Sequence, residues 1–344
     1  MAEDRLAIEF CVEPEYEGYR LDAYVAAKIP RLSRSRVLGI LRESLRSPPG
    51  RALKPATIVH RGLRFVLDRP APSEPAAPEL VVVAEDEALL VLEKPAGLAV
   101  HPTARYHRCT VTARLRTLPY RADPAHRLDR ETSGLLLCGK GSSVTAALKR
   151  AFAAGVVEKR YLAIVEGWPD RDSFDIDLPL ELGTGEVRVK MAVGRGKPAR
   201  TEVLGCRRFL SPDGARFALV EARPRTGRQH QLRAHLSAAG HPIVGDKLYG
   251  FDERCFLRFT EGRLTTRDLE CLRLPRHALH AHALSLAHPA TGQTVAWTSQ
   301  LPEDMAVFLS GLESVDARAG RDMTDVPGAL PSGEGRRPAD RTPE

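Results

Sequence analysis

The sequence predicts an α+β protein in two unequal parts, and three observations carry that reading. Short β-rich apolar runs recur through the larger part, at Leu80–Ala84, Ala88–Leu92, Leu135–Leu137 and Val156–Val165. Helical patterns with cap residues stand among them, over 142–153 and 226–240. A Pro/Ala-rich spacer at 71–79 separates this region from a compact basic segment at 18–70, and such a composition makes an extended, semi-rigid linker.

Residues 1–17 hold one base and six acids and read as an acidic N-terminal segment. Residues 18–70 hold twelve bases and three acids, net +9 of the chain's +7 total. Gly18-Tyr19-Arg20-Leu21-Asp22 opens a helix-like run through Ala27. Ser33 is an N-cap candidate for a second helix. Val37, Leu38, Leu41 and Leu45 then share one apolar stripe, and Arg34, Arg36, Arg42 and Arg46 keep to other faces. Gly62 to Leu67 reads as a strand. A basic segment of this density is a footprint for a polyanion, set against a solvated surface that binds nothing.

The larger domain spans 80–310. Its first two β runs flank an acidic turn, a hairpin pattern. Lys94-Pro95-Ala96-Gly97 follows, with turn residues around a lysine that could meet phosphate or serve the scaffold. Ser142 or Ser143 can cap a helix through Ala153, ended by Gly155. Val156 to Val165 then alternates as a strand with Tyr161, Ala163 and Val165 on one face. Residues 197–208 continue the β pattern. Thr226 can cap a further helix that Gly240 ends, with Leu232, Leu236 and Ala239 as its buried stripe. His230 and His235 are five apart and do not share a face as an i, i+4 zinc pair does. From about 311 the chain is Gly, Pro, Ala and charge, and disorder is expected to Glu344.

No apolar run approaches the ~18 residues of a membrane helix, and the acidic start lacks a secretory layout. Six scattered cysteines without a C-x-x-C pair fit a reducing cytoplasm.

The densest stretch is His126-Arg127-Leu128-Asp129-Arg130-Glu131-Thr132-Ser133-Gly134-Leu135-Leu136-Leu137. Its polar half leads through turn chemistry into a short apolar strand. Asp129 therefore sits on a loop at the mouth of a strand. Flanking arginines would keep it ionised, which suits a carboxylate nucleophile; a plain loop-fastening ion pair is the alternative.

This stretch resembles the catalytic loop of the RluA family of RNA pseudouridine synthases, a run of the form H-R-L-D-x-x-T-S-G. Glu93 to Pro102, Arg160-Tyr161-Leu162, Arg225 to Leu236, His241 to Gly250 and His277 to Ala281 resemble further motifs of that family, so the likeness covers nearly all of 80–310. Residues 18–70 resemble an S4 RNA-binding domain, through its R-L-D opening and S-R-S-R helix start. Ser47-Pro48-Pro49-Gly50-Arg51 stands where that domain usually carries a V-N-G turn.

The resemblance implies a pseudouridine synthase fold, a mixed and mainly antiparallel sheet with flanking helices, beside a small α/β S4-like domain. It implies an isomerase of uridine in RNA that needs no cofactor. Asp129 is the implied catalytic carboxylate, as nucleophile or acid–base. Arg233 is its implied partner, and Tyr161 stacks on the uracil. A uridine within a helix must be flipped out, and Arg127 matches the arginine that fills the vacated space. Arg20, Arg34, Arg36, Arg228, His230 and Lys94 are expected RNA contacts. The expected partner is RNA, of the 23S type or in pre-ribosomal particles, met by a cytoplasmic monomer with no membrane association. The rival readings are a non-catalytic ribosome assembly factor, a tRNA-directed synthase of the same family, and a nucleoside hydrolase or metal-dependent nuclease.

Overall fold

The computed structural model describes residues 5–29, 32–70, 74, 76, 78–103, 106–187 and 189–316. The chain divides into two compact units, Met1–Ser73 and Glu74–Glu344. Most of the expected 71–79 linker lies outside the described residues.

The first unit contains strand β1 (Arg5–Cys11), helices α1 (Leu21–Lys28) and α2 (Arg34–Ser44), and strands β2 (Leu45–Arg46) and β3 (Arg64–Pro70). β3 lies between β1 and β2 in an antiparallel sheet. The side chains of Leu21, Tyr24, Val25, Val37, Leu41, Phe65 and Leu67 fill its core. Ser33 caps α2 as expected, accepting from the Arg36 amide. The boundary at residue 18 needs correction. β1 pairs with β3 along its whole length, from Arg5 opposite Pro70 to Cys11 opposite Arg64. Leu6, Ile8 and Phe10 are its half-buried side, so part of the acidic segment is a strand of this unit.

The second unit opens with the antiparallel pair β4 (Val81–Glu85) and β5 (Leu89–Lys94), as the hairpin pattern predicts. Helix α3 (Val111–Leu115), β6 (Ala122–Pro124) and β7 (Ser133–Lys140) lead to helix α4 (Ser142–Ala153). Then come β8 (Glu158–Glu166), β9 (Phe174–Asp177), the small pair β10 (Leu180–Leu182) and β11 (Met191–Val193), and the long strands β12 (Arg200–Leu210) and β13 (Arg216–Pro224). Helices α5 (Gln231–Ala238), α6 (Arg254–Thr260) and α7 (Thr266–Leu272) precede β14 (Leu279–Ala287) and β15 (Thr294–Thr298). Helix α8 (Glu303–Ser310) and β16 (Glu313–Ser314) close the described chain.

Eleven of these strands form one sheet with the path β16-β12-β13-β8-β14-β7-β5-β4; β15, β6 and β9 pair at its sides. Every pairing in it is antiparallel except β7 with β14. That is the mixed, mainly antiparallel α+β sheet the resemblance implies. Its central strands are buried on both faces, which explains the continuous apolar run Leu135 to Cys138 in β7.

Three local expectations change. Ser142 is the first residue of α4, and Gly141, at φ +80°, occupies the cap without a side chain. Thr226 does not cap α5, which starts at Gln231 after His230 in the left-handed region at φ +53°. The Thr226 hydroxyl instead donates to the Gln231 side chain. The start of the expected disordered tail is ordered, because β16 pairs with β12; residues beyond Asp316 lie outside the described residues.

Gly134, in the stretch that leads into β7, has no room for a side chain. It has φ +108°, and a Cβ there would overlap the backbone of Ala281 across the parallel pairing. Gly134→Ala combines left-handed strain with a backbone clash and is expected to cost about 3–5 kcal/mol. Urea unfolding of the full chain measures it, and a loss below ~1 kcal/mol would show that β7 and β14 can separate freely.

Candidate active site

The stretch from His126 leads out of β6 and runs into β7 from Ser133, which places Asp129 on a loop at the mouth of a strand as the sequence predicts, and the first turn of α5 comes to meet it. Together with β8 and the 224–231 loop they line a cavity of about 800 Å³, with Arg127, Asp129, Tyr161, Arg228, His230 and Arg233 in its wall. The Leu137 amide donates to His126 Nε2, and the His126 ring stacks on Phe152 at 4.4 Å between ring centres. Burial pushes this histidine down to about 3, so it is a neutral fastening for the loop. At the other end the Thr132 hydroxyl bonds His277 Nε2 at 2.8 Å, and the Ser133 hydroxyl bonds His280 Nδ1 at 3.0 Å.

Asp129 is thus fixed from both sides, with its side chain 19% exposed toward the cavity. Arg233 Nη1 donates to its Oδ2 at 2.8 Å. The same guanidinium donates from Nε and Nη2 to both oxygens of Asp246, at 2.6 and 2.9 Å. Asp246 is fully enclosed and also accepts the amides of Leu248 and Tyr249. One planar cation therefore bridges two carboxylates, a geometry that lysine cannot reproduce.

Burial alone would raise the Asp129 carboxyl. The charges of His230 and Arg233 oppose it and prevail, holding Asp129 well below the ordinary carboxylate range. Burial also pushes His230 down to about 4, so at neutral pH that ring is uncharged and Arg233 is the cation that counts. His230 Nε2 stands 3.8 Å from Asp129 Oδ2. The Met191 amide donates to the Tyr249 hydroxyl at 2.7 Å, and that hydroxyl lies 3.1 Å from His230 Nδ1. The protonated phenol can donate to Nδ1, and in that tautomer the neutral ring carries its proton on Nε2, turned toward Asp129.

Tyr161 lies on β8 opposite Ala222 and Ala281. Burial and the nearby Asp129 charge raise its phenol, which stays protonated at neutral pH. Arg127 is exposed at the cavity rim, and among the described residues it makes no ion pair. Arg228 is half-buried on the opposite side and donates to the Pro198 carbonyl.

The structure thus brings Asp129, Tyr161, Arg233, Arg127, Arg228 and His230 to one cavity. Arg20, Arg34 and Arg36 lie in the first unit, where Arg20 donates to both oxygens of buried Asp22 and Arg34 stands 3.6 Å from it. Lys94 requires correction: it is fully buried, and its ammonium donates to the carbonyls of Pro95, Leu98 and Arg130. Burial pushes it down to about 7. It ties the loop to β5 and presents nothing to phosphate. His235 spends both ring nitrogens, on Thr201 and on the Leu178 carbonyl. Among the described residues no group of three or more His, Cys, Asp or Glu could hold a metal ion, and no helix is long and apolar enough to cross a membrane.

Sequence reasoning gave no role to Asp246, Tyr249 or His277, although each lies in a motif already marked. The signal was the G-D-x-x-Y-G run, whose aspartate and tyrosine converge on Arg233 and His230 only through the fold.

Comparisons with known proteins bear on the fold and the family. Residues 88–238 match the RNA pseudouridylate synthase family. The chain is 39% identical over 309 residues to ribosomal large subunit pseudouridine synthase D of Pseudomonas aeruginosa, covering 86% of this chain and 92% of the relative. It is 34% identical over 326 residues to the protein of that name from Nitrosomonas europaea, covering 91% and 90%. The structure of human RNA pseudouridylate synthase domain containing 1 superposes with a TM-score of 0.54 at 26% identity, over 70% of this chain and 91% of that one. With an aspartate, an arginine and a tyrosine around one cavity on a shared fold, and relatives aligned along most of its length, this chain belongs to the RNA pseudouridylate synthase family and is an RNA pseudouridine synthase, an isomerase.

Proposed function

We propose that the chain isomerises uridines of large-subunit ribosomal RNA, with Asp129 as the reacting carboxylate. The observation that carries the reading is Arg233 held between Asp129 and enclosed Asp246, which keeps Asp129 anionic and aimed into the cavity. The relatives named above carry the large-subunit designation, which supports that RNA over tRNA.

In the reaction the N1–C1′ bond of uridine breaks, the uracil turns, and a C5–C1′ bond forms; the C5 proton leaves and N1 ends protonated. Water is not a reactant, so no second carboxylate is needed to activate one, unlike an inverting glycosidase. An anionic Asp129 serves as nucleophile or base on sugar or uracil. Tyr161 stacks on the flipped uracil and, as a protonated phenol beside an anion, is placed to pass on the C5 proton. Arg127, without an ion-pair partner among the described residues, fills the space the base vacates. Arg228 and His230 contact the RNA at the cavity. An assembly factor built on an inactive synthase would show a broken set, and Asp129, Tyr161 and Arg233 stand together. We place the enzyme in the cytoplasm as a monomer; its six cysteines form no disulfide with one another. Tritium release from RNA carrying C5-labelled uridine, with and without chelator, tests the activity. Pseudouridine mapping in total RNA of a deletion strain tests the target, and an unchanged ribosomal map would overturn it.

The first unit is the S4-like RNA-binding part of this reading, with Arg20, Arg34 and Arg36 on its α1–α2 side. Removing residues 1–73 takes away twelve bases between 18 and 70. If ~3 of them touch phosphate, the slope of log K against log salt should fall by about 2–3. The apolar clusters of the second unit draw only on its own residues, so it should fold alone and still modify a short stem-loop at high enzyme concentration. A salt titration of both proteins decides the matter; equal slopes would mean that the first unit does not touch RNA.

A further inference from the structure

Lys159 is a cation that the fold buries and does not neutralise. It lies on β8, is 8% exposed, and lines the wall of the active-site cavity. Among the described residues it makes no hydrogen bond and no ion pair, and its ammonium is not one of the fully enclosed unpartnered atoms. Side chains alternate across a strand, so Glu158 and Arg160 project to the opposite face. There Glu158 pairs with Arg160 at 3.0 Å and Arg223 at 3.6 Å, and Arg160 reaches Glu221 at 3.4 Å. Every nearby carboxylate on that strand is spent away from Lys159. The ring on its own side, His126, is neutral and used by the loop. Burial lowers the lysine, and no opposing carboxylate raises it.

Holding an ammonium in a mostly buried position without an anion is expensive, which is why buried charges are normally paired. Lys159 opens onto a cavity that receives a polyanion. Its place on the strand specifies which part of that polyanion it meets. It is two residues before Tyr161, on the same face, about 6.6 Å along the strand. A uracil stacked on Tyr161 therefore carries the phosphate of its own nucleotide toward the lysine. A compact point charge on a flexible stem suits one phosphate oxygen.

We propose that Lys159 binds the phosphodiester adjoining the flipped uridine and so seats the extruded nucleotide against Tyr161. This rests on the reading of the cavity as the seat of that uridine. The lysine discriminates between a fully extruded nucleotide and a uracil that reaches the cavity without its backbone.

The test uses the full chain and a synthetic stem-loop around the mapped target uridine. Lys159→Met should melt at the same temperature as the wild type or higher, because an unpaired buried charge is gone. Its single-turnover rate at sub-saturating RNA should fall about 30-fold or more, and Lys159→Arg should recover part of the loss. The phosphates on either side of the uridine are then replaced, one at a time, by uncharged methylphosphonate. The wild type should lose about 10-fold or more at one of the two positions, and Lys159→Met under 2-fold at that same position. A lysine serving only the scaffold would instead lower the melting temperature of the Met variant and leave the two losses additive. A lysine reading a uracil carbonyl would leave stability alone and the losses additive. Either result overturns the proposal. Conversion of the unmodified stem-loop by the wild type keeps the two readings apart: its failure would sink the uridine reading itself, whereas additive losses alongside it sink only the role of Lys159.

Discussion

Asp129→Asn is expected to lower the rate of pseudouridine formation by at least ~10³-fold, about 4 kcal/mol of barrier, with RNA affinity changed only a few-fold. The substitution keeps the shape. The amide oxygen can still accept from Arg233 Nη1, so the loop and the Arg233–Asp246 pair should stay in place. What is lost is the negative charge that the nucleophile or base requires. RNA affinity comes chiefly from phosphate contacts, and removing one anion from a basic cavity can only help it. Single-turnover assays beside filter binding make the separation. Retention of more than about a tenth of the wild-type rate, a barrier change under ~1.4 kcal/mol, would remove Asp129 from the chemistry.

Arg233→Met is expected to be more damaging to the protein as a whole, because the guanidinium serves two carboxylates. Breaking a buried pair from one side costs about 3–5 kcal/mol, and here Asp246 loses both of its charged bonds at once. The pH dependence gives this loss its signature. In the wild type, Asp129 and Asp246 are both held well below the ordinary range, each raised by burial and lowered more by its charged partners. Depressed carboxyls contribute stability above their unfolded value near 4, which fades only as pH falls through the folded value. Without Arg233, burial is left largely unopposed and both carboxyls should move above the unfolded value. The stability deficit of the variant should then be greatest at neutral pH and shrink as pH falls below ~4. Activity should move the other way. The acid limb of its rate profile should rise, and residual turnover should recover with increasing pH, because the reacting form is the anion. Urea unfolding across pH and a single-turnover rate profile measure the two trends. A profile with an unmoved acid limb would show that Arg233 does not set the charge of Asp129.

Much of the site could be read before the fold was known, because the chemistry-bearing residues fall in short runs with local structural meaning. Leu135 to Leu137 marked a buried strand, Thr132-Ser133-Gly134 its entry, and Asp129 therefore the loop before it. Local pattern also located β4, β5, β8 and the Ser33 cap. The failures share one cause, which is that the deciding partner is remote. Lys94 reads as a polar turn residue, and only the fold wraps three carbonyls around its ammonium. Thr226 has the chemistry of a cap, yet its hydroxyl is taken by Gln231, and the helix begins where His230 turns left-handed. β1 was obscured by its charge: Leu6, Ile8 and Phe10 do alternate, but six acids in 17 residues drew the segment apart from the domain it completes. Nothing local announces that Asp246 sits behind Arg233.

The parallel pairing of β7 with β14 has a consequence for how the enzyme comes into being. The bonds that lock the loop after Asp129 join residues 145 and 147 positions apart, at Thr132–His277 and Ser133–His280, and the Asp129–Arg233 bond spans 104. Contacts of such separation carry a large loop-closure cost and form late. The first unit, whose longest strand pairing spans 65 positions from Arg5 to Pro70, can be complete while Asp129, the proposed reacting carboxylate, still lacks its surroundings. On the ribosome, the chain must be synthesised past residue 280 before the loop that carries Asp129 can acquire all of these contacts. Nascent chains therefore pass through a stage that is folded at one end and chemically silent at the other, and catalytic competence arrives as one of the last events of folding.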